Sequence, residues 1–262
     1  MNEQSEILIR HLQSHVSVRS FTDAHVTDEQ ETTIVATATR SATSSNLHSY
    51  SIISVRDTHT KDAISTLSGN QEHIRSCRLF LIFCADLYRL SIEAHKRQYP
   101  FQGDTTEALL IATVDAALAA DRALIAAQAI GLGGVMVGAI RNNPEEIAAL
   151  LKLPRLVYAV MGMSLGYPAK TAPPKPRLPL GALHHREQYD ASPFDQSIRA
   201  YDRTVAEFGH LVGRQVQPEK YPDFEGEYTW SEHSSRRMAD DRREVMRPHI
   251  REFLQKRGLM LR

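Results

Sequence analysis

The chain has little sulfur chemistry to offer. Cys77 and Cys84 are the only cysteines in 262 residues, too few for a disulfide scaffold. Lying in one apolar stretch, they read as reduced core thiols of a cytoplasmic protein, and no zinc site can be built from them with nearby histidine at standard spacing. Neither sign of charge is in excess, with 31 basic against 31 acidic residues. That balance argues against a dedicated nucleic-acid binder, which carries a basic surplus. Glycine (13) and proline (12) are too scarce for a collagen-like or low-complexity chain. Long hydrophobic runs are missing too, apart from the uncharged residues 123–140. That stretch is mostly Ala and Gly, holds Gln128, and is broken by Gly131, Gly133 and Gly134. It therefore reads as a buried helix running into a buried strand, not a membrane span. The opening Met1-Asn-Glu-Gln-Ser-Glu6 is acidic and polar, unlike a signal peptide. No P-loop, GxSxG elbow or HExxH motif occurs.

What is present is an ordinary globular composition, 42% hydrophobic and 24% charged. Residues 3–14 have helical periodicity. His15-Val-Ser-Val-Arg19 alternates, as an extended segment does. Thr27-Asp-Glu-Gln30 is a capping box opening a helix to about Arg40. Strands are expected at 50–55, 79–84, 135–137 and 156–163, with helices near 58–68 and after 84. Residues 105–130 form the longest helix, about 39 Å at 1.5 Å per residue. Ten of residues 108–129 are alanine, so this helix is expected to be central and buried. Gly131 to Gly134 is read as its C-cap and a tight turn. Asn143-Pro-Glu-Glu146 opens a further helix with Asn143 as N-cap. Five prolines within 168–179 make that stretch extended. Beyond it, helices are expected at 192–212 and 235–257, separated by a polar loop holding Trp230. The class is α+β or α/β.

Two pieces of the chain carry clustered cationic chemistry. In an extended segment His15, Ser17 and Arg19 share one face. An imidazole, a hydroxyl and a guanidinium together suit an oxyanion, above all a phosphate. Lys175-Pro-Arg177 is a second cationic pair on a stiffened stretch. With the hydroxyl-rich Thr43-Ser-Ser45, these suggest one phosphate-bearing ligand. The pattern alone also fits solvent-facing polar residues. His184-His185 reads as surface histidine, since no third metal ligand has useful spacing. Residues 234–257, with seven Arg and one Lys against four acids, read as a solvated helix.

These pieces in order are similar to the FMN-dependent nitroreductase family. His15-x-Ser-x-Arg-x-Phe21 resembles that family's opening motif. Thr43–Ser45, Gly69-Asn-Gln71, Phe83-Cys-Ala-Asp86, the run Gly131 to Asn142 and Lys175-Pro-Arg-Leu-Pro179 follow in register. The likeness is to the branch of oxygen-insensitive NADPH nitroreductases and NADPH–flavin oxidoreductases, and it runs from about residue 8 to Arg247-Pro248.

The resemblance implies an α+β fold, with a central, mostly antiparallel sheet flanked by helices in an intertwined homodimer. It implies a single domain, 1–262, whose extension 180–262 wraps the partner. One FMN would lie at each of two interface sites. His15, Ser17, Arg19, Lys175 and Arg177 would hold its phosphate and ribityl chain. Thr43 and Ser45 would contact the flavin, Gln71 its ring edge, and Met136, Val137, Gly138 and Ala139 its other side through backbone. Arg214 and Arg247 are the candidates for the 2′-phosphate of NADPH, with NADH the alternative donor. The activity implied is two-electron reduction of nitroaromatics, quinones or free flavin, with no metal, nucleic acid or membrane involved. Dehalogenating or flavin-destroying enzymes of the same fold, or a non-catalytic flavin binder, are the alternatives. Three positions depart from the family pattern: Val16 stands for an Arg, Met136 for an aromatic, and Ala139 for a Gly.

Overall fold

The computed structural model describes residues 2–170, 172–239 and 246–262. The chain divides into two units, one built from residues 1–172 with 249–262 and the other from 173–248.

The first unit opens with α1 (Glu3–Gln13) and α2 (Asp28–Ala38). The capping box of α2 forms as the sequence dictates. Thr27 Oγ1 accepts from the Gln30 amide at 3.1 Å, and Gln30 Oε1 accepts from the Thr27 amide at 3.0 Å. A loop leads to β1 (Tyr50–Val55), then α3 (Thr58–Leu67), a short α4 (Glu72–Ser76) and β2 (Leu79–Asp86). Next come α5 (Tyr88–Lys96), α6 (Thr106–Ala129), β3 (Gly133–Val137), α7 (Pro144–Leu150) and β4 (Val157–Gly166). The four strands form one sheet in the order β1-β2-β4-β3, antiparallel throughout. β2 is central and buried along its whole length, as its unbroken apolar run requires.

The register fixes the layers. Ser164 on β4 faces Val135 on β3, and Gly134 faces Leu165. Neighbouring residues point to opposite sides of a sheet. A Cβ at Gly134 would meet Leu124 of α6 at 3.1 Å, whereas Ser164 meets His73 of α4. So α6 covers one face of the sheet and α4 the other. The turn after α6 uses Gly131 at φ +83°, a conformation that costs glycine little.

The alanines of α6 let its buried face lie close to the sheet. Its burial is incomplete, however. Leu110, Val114 and Leu118 are 54%, 54% and 43% exposed, so the expectation of a fully buried helix fails along one stripe. These residues are four apart and share a face. Helix α1 likewise exposes Ile7, Leu8 and Leu12 and buries no residue.

Residues 17–22 run beside the sheet without forming a strand. Ser17 bridges Gly134 in parallel, and Phe21 bridges Pro168 antiparallel. Asn143 takes the N-cap position of α7, but its side chain does not cap; its Nδ2 donates to the Leu67 carbonyl at 2.6 Å. The chain end returns to the first unit through α10 (Ile250–Lys256), with the Leu156 amide donating to the Arg257 carbonyl at 2.9 Å.

The second unit contains α8 (Phe194–Phe208) and α9 (Trp230–Met238) around Tyr201, Val205 and Leu211. Gly209 closes α8 earlier than the periodicity suggests. The single helix expected over 235–257 is not found. α9 begins at Trp230, which was expected in a loop; its ring lies 5.6 Å from Tyr201. Residues 246–249 lie outside α10, where Pro248 lacks an amide and Arg247 has φ +58°; the part of that expected helix over 240–245 falls outside the described residues. Arg236 is buried against the rings of Tyr221 and Phe224, at 4.2 and 4.9 Å, and pairs with Glu232 at 2.6 Å. Both cysteines are free and buried.

Candidate functional site

In segment 15–19 the backbone of Val18 is tied to the sheet. The Val18 amide donates to the Gly134 carbonyl at 2.9 Å. The Val18 side chain lies over Gly133, where a Cβ would come within 2.6 Å of its Cγ2. With Val18 turned to the sheet edge, Ser17 and Arg19 turn away from it. Gln128 Nε2 donates to His15 Nδ1 at 3.1 Å, which leaves Nε2–H as the imidazole's remaining donor. Among the described residues Arg19 pairs with no carboxylate and Ser17 Oγ has no hydrogen-bond partner. Three unsatisfied donors on one short segment match the needs of a phosphate.

Gln71 and His73 sit at the start of α4. Their backbone is held from α3. Ser65 Oγ donates to the Gln71 carbonyl at 2.8 Å, and the buried Lys61 Nζ donates to the Cys77 and Arg75 carbonyls at 2.6 and 3.2 Å. The half-buried His73 places Nδ1 3.1 Å from Ser164 Oγ. Burial first, and then the positive charge of Arg19, hold its pKa below the ordinary histidine value. Arg19 is thus brought beside α4.

Met136 and Val137 close β3, and Gly138 and Ala139 begin the helical turn that follows. A Cβ at Gly138 would stand 3.3 Å from Arg141 Nη2. Thr43 and Ser45 lie in the loop before β1. Thr43 Oγ1 accepts from the His48 amide at 3.4 Å.

In the second unit, Arg177 Nη1 donates to the carbonyls of Lys175 and Pro176 at 3.0 and 3.4 Å. Lys175 and Arg214 both act on His210, whose pKa is lowered by burial and then by these two charges. Arg247 is half-buried. His184 is exposed, and His185 stacks 4.5 Å from Tyr189.

Two family models match the chain: the nitroreductase family over residues 12–167, and the nitroreductase family C-terminal domain over 175–262. The chain belongs to the nitroreductase family. It is 38% identical over 246 residues to the oxygen-insensitive NADPH nitroreductase of Salmonella typhimurium, covering 93% of this chain and 94% of that one. It is 34% identical over 263 residues to the NADPH-flavin oxidoreductase of Vibrio harveyi, covering 100% of each. Among solved structures, NfrA2 of B. megaterium aligns with a TM-score of 0.85 at 36% identity over 100% of both chains. The fold expected of a nitroreductase is the fold found, with its sheet wholly antiparallel. Among the described residues no helix is long and apolar enough to cross a membrane.

Sequence reasoning missed Asp115. This carboxylate is buried on α6 and accepts from the Ser44 and Ser49 amides, each at 3.0 Å. An acid in mid-helix, between Val114 and Ala116 in an alanine-rich run, was the available signal. It also missed His73 and Ser164, because α4 is too short for periodicity to register.

Proposed function

We propose that this chain is an FMN-dependent NAD(P)H oxidoreductase that reduces small acceptors such as nitroaromatics, quinones or free flavin. The observation that carries the reading is the set of unsatisfied donors on His15, Ser17 and Arg19, in a chain of this family. These three, with Lys175 and Arg177, hold the FMN phosphate and ribityl chain. Gln71 meets the ring edge, and Met136, Val137, Gly138 and Ala139 line its other side. Thr43 and Ser45 reach the flavin from the opposite subunit. Bound FMN would supply the hydride chemistry, taking two electrons from the nicotinamide and giving them to an acceptor that uses the same open face in turn. The protein's part is to bind, orient and surround the flavin with positive charge. Arg214 and Arg247 are assigned to the 2′-phosphate of NADPH, the donor named for both relatives above. Val16 supplies no charge where the family pattern has arginine, so the load on Arg19 is greater.

The active unit is a homodimer, and the exposed stripe Leu110, Val114 and Leu118 is part of its interface. Exposed apolar stripes of this kind mark surfaces that a partner covers. The extension after residue 180 reaches that partner. The compartment is the cytoplasm, where buried free thiols such as Cys77 and Cys84 stay reduced.

Arg19→Ala tests the assignment. Its FMN dissociation constant is expected to rise by roughly tenfold or more, the loss of one charge-assisted phosphate contact. An unchanged constant, in a variant that melts like the wild type, would remove Arg19 from the site.

A further inference from the structure

The loop between α2 and β1 holds an improbable shape. Ser45, Asn46 and His48 have φ of +48°, +57° and +50°, a left-handed conformation that residues with a Cβ adopt only under constraint. One buried carboxylate binds at both ends of the stretch, beside the Arg89 guanidinium on the His48 carbonyl at 3.2 Å and the Asp86 amide on the Ser49 carbonyl at 2.9 Å. Asp115 is 1% exposed. Its Oδ1 accepts from the Ser44 amide and its Oδ2 from the Ser49 amide, each at 3.0 Å. Both ends of the strained stretch are therefore pinned to the same turn of α6. Among the described residues Asp115 pairs with no cation, so the two amides carry its whole compensation. An isolated carboxylate is a costly way to fill an alanine-lined position. The same stretch of helix carries Val114 and Leu118 of the exposed stripe.

We propose that Asp115 is a positioning residue for the flavin. Its carboxylate holds loop 43–49 in the shape that presents Thr43 and Ser45, and ties that loop to the α6 face where the second subunit docks. Cofactor contact across the interface and the docking surface then share one rigid mount. The inference rests on the reading that Thr43 and Ser45 meet the flavin.

The test uses the full-length holoprotein. Asp115→Asn keeps the shape but offers an NH2 group to one of the two amides. The expected result is a roughly tenfold rise in the FMN dissociation constant, with faster deuterium exchange at the Ser44 and Ser49 amides. Tyr158→Phe is the control for stability alone. It removes the 2.7 Å contact between Tyr158 and Thr113 on the same helix, and is expected to lower Tm without moving FMN affinity. His48→Gly, which relieves one left-handed residue, is expected to recover part of the affinity lost in Asp115→Asn. An Asp115→Asn constant within twofold of wild type overturns the proposal, as does an equal rise in Tyr158→Phe. If Asp115→Asn does not fold, exchange in the wild-type protein decides. Protected Ser44 and Ser49 amides support the mount, and amides exchanging like exposed ones overturn it. The double variant Thr43→Ala with Ser45→Ala separates the two claims. Unchanged FMN affinity there means the loop does not meet the flavin. Weakened affinity there, with none lost in Asp115→Asn, means Asp115 does not position it.

Discussion

The Val18 amide donates to the Gly134 carbonyl at 2.9 Å, and this one bond sets which way the donors of segment 15–19 face. It seats the Val18 side chain over Gly133, between β3 and Pro168, so Ser17 and Arg19 point away from the sheet edge. The close approach needs the glycine: a Cβ there would lie 2.6 Å from Val18 Cγ2 and 2.8 Å from Pro168 Cγ. Both neighbours are stiff. Gly133→Ala is therefore expected to push the segment off the sheet, costing about 1–3 kcal/mol, and to weaken FMN binding as well. Urea unfolding and a flavin titration read the two effects. Wild-type values in both would show that the segment is not seated by this contact.

The two thiols are expected to be inert in the folded chain. Burial, and then the Asp86 carboxylate, push the Cys84 thiol up to about 12. Burial also raises Cys77, with the nearby Lys61 charge opposing it. The thiolate is the reactive form, so alkylation near neutral pH should label neither cysteine until the protein is unfolded. Mass spectrometry before and after denaturant checks this; a native cysteine labelled at the unfolded rate would contradict it.

His73 makes stability depend on pH with a definite sign. Its folded pKa lies below the ordinary 6.5 because of burial and Arg19. As pH falls below that value the unfolded chain takes up the proton first. The stabilisation is therefore full above 6.5 and is lost as pH falls below it. Between about pH 8 and about pH 5 the wild type should lose stability more steeply than His73→Gln. Parallel urea-midpoint curves for the two proteins would exclude a lowered His73 pKa.

Much of the frame was legible from residues. The capping box at Thr27 and Gln30, the apolar run of β2 and the turn at Gly131 each declare themselves by local chemistry. The extended course of residues 17–22 was legible in part, because alternation survives even where a full strand does not form. Other features depend on contacts distant in sequence. Nothing local shows that Asn143 turns from its helix to the Leu67 carbonyl, or that Asp115 reaches back to Ser44 and Ser49. The helix expected over 235–257 does not run through residues 247–248, where Arg247 takes a left-handed φ of +58° and Pro248 has no amide to donate. The exposed stripe on α6 could not be told from a buried one, since both faces of the helix carry apolar residues.

That stripe gives a fourth expectation. Val114→Lys places a charge at the centre of the proposed interface, where it would be buried without a partner. Sedimentation should show the wild type as a dimer and the variant shifted to monomer, with weaker FMN binding. A wild type that sediments as a monomer at all concentrations would contradict the dimer assignment.

The most direct test of the central claim is a flavin spectrum followed without oxygen. The freshly purified protein should be yellow, and its flavin band should bleach on adding NADPH and return on adding a nitroaromatic or quinone. Faster bleaching by NADPH than by NADH, lost in Arg214→Ala or Arg247→Ala, would place the 2′-phosphate at those arginines. A colourless protein that takes up no FMN, or a bound flavin that neither nicotinamide reduces, would contradict the account.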